Sequence, residues 1–338
     1  MTRCCRMVLL VLSLTSAGWA GERWTLALLP DTQYYSEKWP AHYQAQTRWL
    51  AEQAGASGVR LAIHLGDIVN VGSSGAQWQV AEQAMAHLRG VVPVAYAWGN
   101  HDYLDPASTG KRASLFDQSA LARPEPTLVG TMEPGSLANS YHVVRAGGRS
   151  WLVLCLEYGP RDRTIAWANG VLEQHPGLPA IVATHAYLHH TGQRLRLAAK
   201  QDGDMWFNPH AYTGFARLPG GVSDGEELWD RLIRRHANVV FVFSGHVAGA
   251  AHLTNRNDAG SVVHQILLDY QSEAEGGGSW LPLLTIAADG RSAQMRCYSP
   301  SAGRWRDDAG SSYDLDLRGT AAEAPAKAAA ARALASVR

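Results

Sequence analysis

Cysteine is scarce in this chain of 338 residues: there are four, and Cys4 and Cys5 both fall at the extreme N-terminus. Beyond that segment only Cys155 and Cys297 remain, so a processed, exported form would hold one disulfide at most; two separately buried thiols fit the same spacing. An excess of charge is also missing, with 30 Lys and Arg against 30 Asp and Glu. A balanced chain presents no broad basic face, which disfavours nucleic acid as a bulk electrostatic partner and leaves room only for a local basic rim. No apolar run approaches the roughly 20 residues a membrane-spanning helix needs, and no repeat at a period of about 20–50 residues is visible. What is present is 46% hydrophobic and 18% charged residues, a composition that can bury a large core and suits a globular enzyme better than a disordered chain.

The N-terminus has the form of an export signal: Arg3 and Arg6 precede the apolar run Met7–Leu12, and the small residues Gly18 and Ala20 follow. Cleavage after Ala20 is expected, with no stable membrane anchor and a periplasmic or extracellular location. Cys4 and Cys5 would leave with that segment.

Apolar β-like runs then alternate with amphipathic segments, an α/β pattern. Strands are expected at Trp24–Leu29, Val59–Leu65, Val91–Trp98, Ser140–Val144, Trp151–Glu157, Ala180–Thr184, Val239–Ser244 and Val262–Leu268, most of them near-continuous Val, Ile, Leu and Ala as in strands covered on both faces. Helices are expected at Ala41–Ala54, Gln77–Leu88, Thr164–Gln174 and Glu226–His236, the last opened by a Ser223–Glu226 capping box. Trp280–Ala287 and Ser292–Ser299 flank an Asp289-Gly290 turn and form a hairpin signal, and Tyr313–Leu317 adds a further alternating strand at a sheet edge. The division expected is a signal over 1–20, one domain over 21–318 and an Ala-rich tail over 319–338, frayed or disordered.

Five short motifs stand where expected strands run out: Asp31-Thr32-Gln33, Gly66-Asp67, Gly99-Asn100-His101-Asp102, His185 and Gly245-His246. Singly each is unremarkable, since a lone His after a strand is more often a satisfied polar residue than a ligand. Together, in this order, they describe a two-metal phosphoester-cleaving site. Phosphoester hydrolysis needs a nucleophile at neutral pH and compensation for charge on the phosphoryl oxygens, and two ions about 3.5–4 Å apart supply both. A carboxylate bridges such ions best, and Asp67 is the candidate, with Gly66 allowing the sharp turn that aims it into a cleft.

From about Leu29 to His246 these motifs resemble the calcineurin-like metallophosphoesterase superfamily, Gly99-Asn100-His101-Asp102 being the most specific. The resemblance implies a two-sheet β-sandwich flanked by helices, with the C-terminal hairpin strands completing one sheet and metals at the strand ends. It implies one metal site of Asp67, Asn100, His185 and His246, and a second of Asp31, Gln33 and Asp67, filled by two divalent ions drawn from Mn, Zn, Fe or Mg. The second site departs from the family pattern, because Gln33 and Ala248 stand where histidines are usual. Gln33 offers a neutral carbonyl oxygen, which favours harder ions and weakens binding. His252, further along, is a possible substitute, although a histidine there is more often simply solvated. Segments such as Pro30–Ser36 and His264–Gln271 are similar to a secreted bacterial branch in which Asp-x-Gln is habitual. Asn70 occupies the place of the tyrosine that marks an Fe(III)–tyrosinate centre, which argues against a purple acid phosphatase.

The catalytic roles implied fall to His101, protonating the leaving oxygen while a metal-activated hydroxide attacks, and to Asp102, orienting His101. The long stretch Tyr187–Val222, with His189, His190, Arg194, Arg196, Trp206, Phe207, Asn208, His210 and Tyr212, either grips a small phosphorylated substrate or packs on the protein as a lid; Tyr34, Tyr35 and Tyr103 are further contact candidates. Asp269, Tyr270 and Gln271 serve as supports for the site, as substrate contacts, or as an ordinary turn capped by Asp269. Two other readings stand beside the enzyme: a metal- or phosphate-binding protein that lost turnover through Gln33 and Ala248, and a secreted nuclease.

Overall fold

The computed structural model describes residues 22–104, 112–197 and 205–323; the expected signal and residues 324–338 of the Ala-rich tail lie outside them. The strands in chain order are β1 (Trp24–Leu29), β2 (Val59–His64), β3 (Val94–Tyr96), β4 (Leu128–Thr131), β5 (Ser140–Ala146), β6 (Arg149–Cys155), β7 (Ala180–Ala183), β8 (Val239–Ser244), β9 (Gly249–Arg256), β10 (Val262–Asp269), β11 (Leu281–Ile286), β12 (Ser292–Ser299), β13 (Arg304–Trp305) and β14 (Tyr313–Asp316). They form two seven-stranded sheets, one ordered β13-β12-β11-β1-β2-β3 with β14 beside β12, the other β4-β5-β6-β7-β8-β10-β9. The helices are α1 (Gln33–Glu37), α2 (Pro40–Gln53), α3 (Gly75–Met85), α4 (Asp162–Gln174), α5 (Thr213–Ala216) and α6 (Gly225–Arg231).

The parallel heart of each sheet explains the continuous apolar runs. β1, β2 and β3 run parallel, as do β6, β7, β8 and β10. Successive residues of these strands are buried in different layers: Leu26 and Leu28 join Val153, Phe241, Phe243 and Ile266 in one core cluster, while Ala27, Leu29, Leu152 and Leu154 join α2, α3 and α4 residues in another. Trp24 of β1 meets Trp151 of β6 edge to face at 5.2 Å, bonding sheet to sheet. As expected, the C-terminal hairpin completes a sheet, with β11 antiparallel to both β1 and β12. Cys155 and Cys297 lie in opposite sheets and are two buried, unpaired thiols, each pushed up to about 12 by burial.

Three expectations need correction. β4, β9 and β13 are not among the expected strands: β13 is two residues long, and β9 is a polar strand at a sheet edge with little apolar signal. The capping box of α6 sits one residue later than expected: the Glu227 amide donates to Asp224 Oδ1 (3.1 Å) and the Asp224 amide to Glu227 Oε2 (2.9 Å), while the Ser223 hydroxyl is held by Arg231 instead. The start of the tail is packed rather than frayed, since Ala322 is buried and its carbonyl accepts from the Arg149 guanidinium. No helix among the described residues is long and apolar enough to cross a membrane.

Beyond the end of β6, Glu157 is wholly buried with Arg112 at 3.1 Å and Arg161 at 2.8 Å, and Thr164 donates to it as well. Arg112 also donates to the carbonyls of Tyr158 and Gly159, so this cluster pins the start of its segment against the sheet. Glu157→Ala removes the buried counter-ion of Arg112 and the nearer counter-ion of Arg161, which keeps Glu133 at 3.7 Å, and a loss of about 3–5 kcal/mol in urea-unfolding free energy is expected; a loss under about 1 kcal/mol would show the cluster to be incidental.

Candidate metal centre

Each expected ligand follows a strand of a parallel core: Asp31 after β1, Asp67 after β2, Asn100 after β3, His185 after β7 and His246 after β8. The ligand atoms of Asp67, His185 and His246 lie within 4.8 Å of one another, all buried. His185 Nε2 is 3.2 Å from Asp67 Oδ2 and 3.8 Å from Asp31 Oδ1.

The backbone is bent to achieve this. Of the five non-glycine residues with positive φ among those described, three are candidate ligands: Asp31 (37°), Asp67 (50°) and His246 (73°). Such conformations cost about 1–3 kcal/mol each and persist where the surroundings impose them. Motif glycines have a steric reason as well, Gly66 among them, where a Cβ would collide with the His185 ring. A Cβ on Gly99 would collide with the Asp67 carboxylate, and one on Gly245 with that of Asp31.

Hydrogen bonds set which atoms remain free. The His185 Nδ1–H donates to Leu65 O (2.8 Å), so its Nε2 faces the two carboxylates. His246 Nε2 donates to Phe207 O (3.0 Å), leaving the Nδ1 lone pair. The His246 amide donates to Asp31 Oδ1 (3.0 Å) and the His101 amide to Asp67 Oδ1 (2.9 Å). After these bonds, four buried atoms of the expected ligands make no hydrogen bond: Asp31 Oδ2, Gln33 Oε1, Asn100 Oδ1 and His185 Nε2, the last facing the Asp67 carboxylate at 3.2 Å. An unsatisfied buried polar group costs about 1–3 kcal/mol, so four in the ligand set form a donor set that fits cations. Carboxylate oxygen, amide oxygen and imidazole nitrogen are suitable ligands for divalent ions of the Mn, Zn, Fe or Mg class.

The electrostatics agree. Burial, then Asp269 and Asp67, hold the Asp31 carboxyl well above its ordinary range. Burial likewise lifts Asp102 to about 7 and Asp269 to about 6. Burial opposes charge on Asp67, yet His185 and His101 beside it outweigh that and keep it low. His246 is lowered to about 3 by burial and by His185, and so stays neutral as a ligand must. Four buried carboxylates in one neighbourhood repel one another until positive charge arrives.

Asp102 does not orient His101. Its Oδ1 accepts from the Ile68 (2.7 Å) and Val69 (3.3 Å) amides and its Oδ2 from Gly99 (2.8 Å), so it ties the second motif to the third. His101 is oriented instead by Nδ1–H donation to Asn70 O at 2.7 Å. His252 is committed elsewhere, bonded to His264 and Thr254 and stacked on Tyr313. Tyr35 and Tyr103 are buried core residues rather than substrate contacts. Of the stretch after His185, residues 198–204 lie outside the described residues; in its described part Phe207 and Tyr212 lie against the His246 ring, at 5.8 and 6.1 Å, and Trp206 alongside is 78% exposed.

Sequence reasoning missed His64. The Gly66 amide donates to its Nδ1 (3.2 Å), so Nε2 carries the proton and donates to Thr32 Oγ1 (2.9 Å), bolting the first motif to the second. A histidine inside an apolar run, in Val59–Leu65, was the available signal.

The Calcineurin-like phosphoesterase family model matches residues 25–249. Two solved structures share the fold: a dimetal phosphatase from Danio rerio (TM-score 0.52, 15% identity, 88% of this chain and 99% of that one) and the purple acid phosphatase PPD1 from yellow lupin (TM-score 0.51, 12% identity, 90% and 57%). In sequence the chain is 29% identical over 297 residues to the uncharacterized protein YvnB of Bacillus subtilis (strain 168), covering 83% of this chain and spanning 20% of that much longer relative. The family match takes in every one of the five motifs, and the chain belongs to the calcineurin-like phosphoesterase family, a family of metal-dependent phosphoric ester hydrolases.

Proposed function

We propose that the protein is an exported phosphoesterase with two divalent ions, hydrolysing a small phosphorylated substrate. The observation that carries this reading is the set of four buried atoms on Asp31, Gln33, Asn100 and His185 that make no hydrogen bond, with His185 Nε2 turned to the Asp67 carboxylate. Asn100, His185 and His246 would hold one ion and Asp31 and Gln33 the other, with Asp67 available to both. When bound, such ions lower the pKa of water and offset charge on the phosphoryl oxygens.

The chain supplies the rest. Protonated on both ring nitrogens, His101 donates Nδ1–H to Asn70 O and holds its Nε2–H for the leaving oxygen, which takes that proton as the P–O bond breaks and leaves the ring neutral. Asp102 and His64 keep the motif loops in register, and Phe207 fixes the ring of His246. Residues 1–20 act as the export signal and 21–318 as the catalytic domain, with the short packed segment to Ala322 continuing it.

His101→Ala is expected to lower kcat by about 10²–10⁴-fold while the metal content per chain stays unchanged. Equal loss of metal and turnover would remove His101 from proton transfer. Assay on paired monoester and diester chromogenic substrates, after reconstitution with Mn, Zn, Fe or Mg, assigns the ester class.

A further inference from the structure

A glutamine facing a cation is useful only if its oxygen points inward; turned over, its NH₂ would repel the ion. Nothing in Gln33 itself selects between the two orientations. The selection comes from a chain of hydrogen bonds that begins at the end of β10. Asp269, 1% exposed, accepts from the Gln271 backbone amide on Oδ1 (2.8 Å) and from Gln271 Nε2 on Oδ2 (2.7 Å). A carboxylate only accepts, so Gln271 must turn its NH₂ to Asp269 and its Oε1 away. That Oε1 receives a hydrogen bond from Gln33 Nε2, and Gln33 Oε1 is left buried with no donor.

We infer that Gln271, anchored by Asp269, is a positioning residue that forces Gln33 to present its carbonyl oxygen to a metal ion, making Asp-x-Gln a working ligand pair. The inference rests on the two-ion reading above. Where a histidine ligand would be oriented by its own ring nitrogen, this chain delegates orientation to a second glutamine from the far end of the other sheet. The relay also accounts for Asp269 and Gln271, which take no part in the ligand set.

Equilibrium dialysis with Mn²⁺, counted by elemental analysis, gives the affinity of each ion on the full chain. Gln271→Leu keeps the size of the side chain and removes both side-chain hydrogen bonds. Its expected effect is roughly 10–100-fold weaker binding of one ion, with the other unchanged. Gln33→Glu supplies two equivalent oxygens that need no orienting, so in that background Gln271→Leu should cost nothing. Circular dichroism of each metal-free variant, matched to wild type, separates this from misfolding; if Gln271→Leu misfolds, Gln271→Met is measured in its place. Two ions held by the Gln271 variant as tightly as by wild type would overturn the relay while leaving the two-ion site intact. So would an equal penalty in the Gln33→Glu background. A single ion on wild type, unmoved by Gln33→Ala, would overturn the two-ion reading and the relay with it.

Discussion

Asp67→Asn is expected to reduce kcat/KM by about 10³-fold or more and to strip the protein of metal under dialysis that wild type withstands. The substitution is nearly isosteric, and asparagine tolerates the left-handed conformation that Asp67 adopts at φ 50°, so the turn after β2 is retained. The amide oxygen can still accept from the His101 backbone. What disappears is the anionic oxygen 3.2 Å from His185 Nε2, and with it the one carboxylate suited to serve both ions. Metal counting and kinetics on the same sample check this: retained activity with retained metal would move the bridging role away from Asp67. Loss of activity with both ions kept would make Asp67 a group needed for the chemistry alone.

Chelation is expected to lower stability substantially, because the ions offset repulsion among Asp31, Asp67, Asp102 and Asp269. With free metal at about 1,000 times its Kd, linkage alone contributes about 4 kcal/mol, read as a fall in the unfolding midpoint on adding a chelator. Asp31→Asn should reverse the sign in the metal-free protein, since it deletes a buried anion that burial and then Asp269 and Asp67 already disfavour. The pH dependence follows from the direction of that shift. A carboxyl raised in the folded state contributes its stability fully below its unfolded pKa and loses it as pH rises through the folded value. The advantage of metal-free Asp31→Asn over metal-free wild type is therefore greatest at alkaline pH and shrinks as pH falls toward the ordinary carboxyl range. Titration of the unfolding free energy of both proteins checks it, and an advantage that grows on acidification would contradict the assigned cause. The same protonation competes with metal, so ion affinity should weaken as pH drops.

The fold was largely legible from periodicity. β1, β8 and β12 run over the expected residues, and most other expected strands differ at their ends only, because a strand buried on both faces announces itself as a continuous apolar run. β9 escaped, since an edge strand exposes polar side chains and its identity depends on the partner strand β10 that it pairs with. The strand-end placement of the candidate ligands was legible because turns at strand ends use few residue types. The role of Asp102 was misread for the opposite reason: adjacency in sequence suggested a bond to His101, whereas the short turn after β3 aims its carboxylate at the Ile68, Val69 and Gly99 amides.

The sequence by itself determined the two-sheet architecture, the strand-end motifs and the chemistry of the ligand atoms, all of which follow from local pattern and residue type. Only the tertiary structure decided which atom of each ligand is free. That His185 turns Nε2 inward, that His101 leans on Asn70, and that Gln33 shows its oxygen depend on acceptors supplied by segments distant in sequence: Leu65 for His185, Asn70 for His101, and the Asp269–Gln271 pair for Gln33. Hydrogen-bond polarity is a property of the assembled network, passed from one partner to the next, and no single residue type in the chain specifies it.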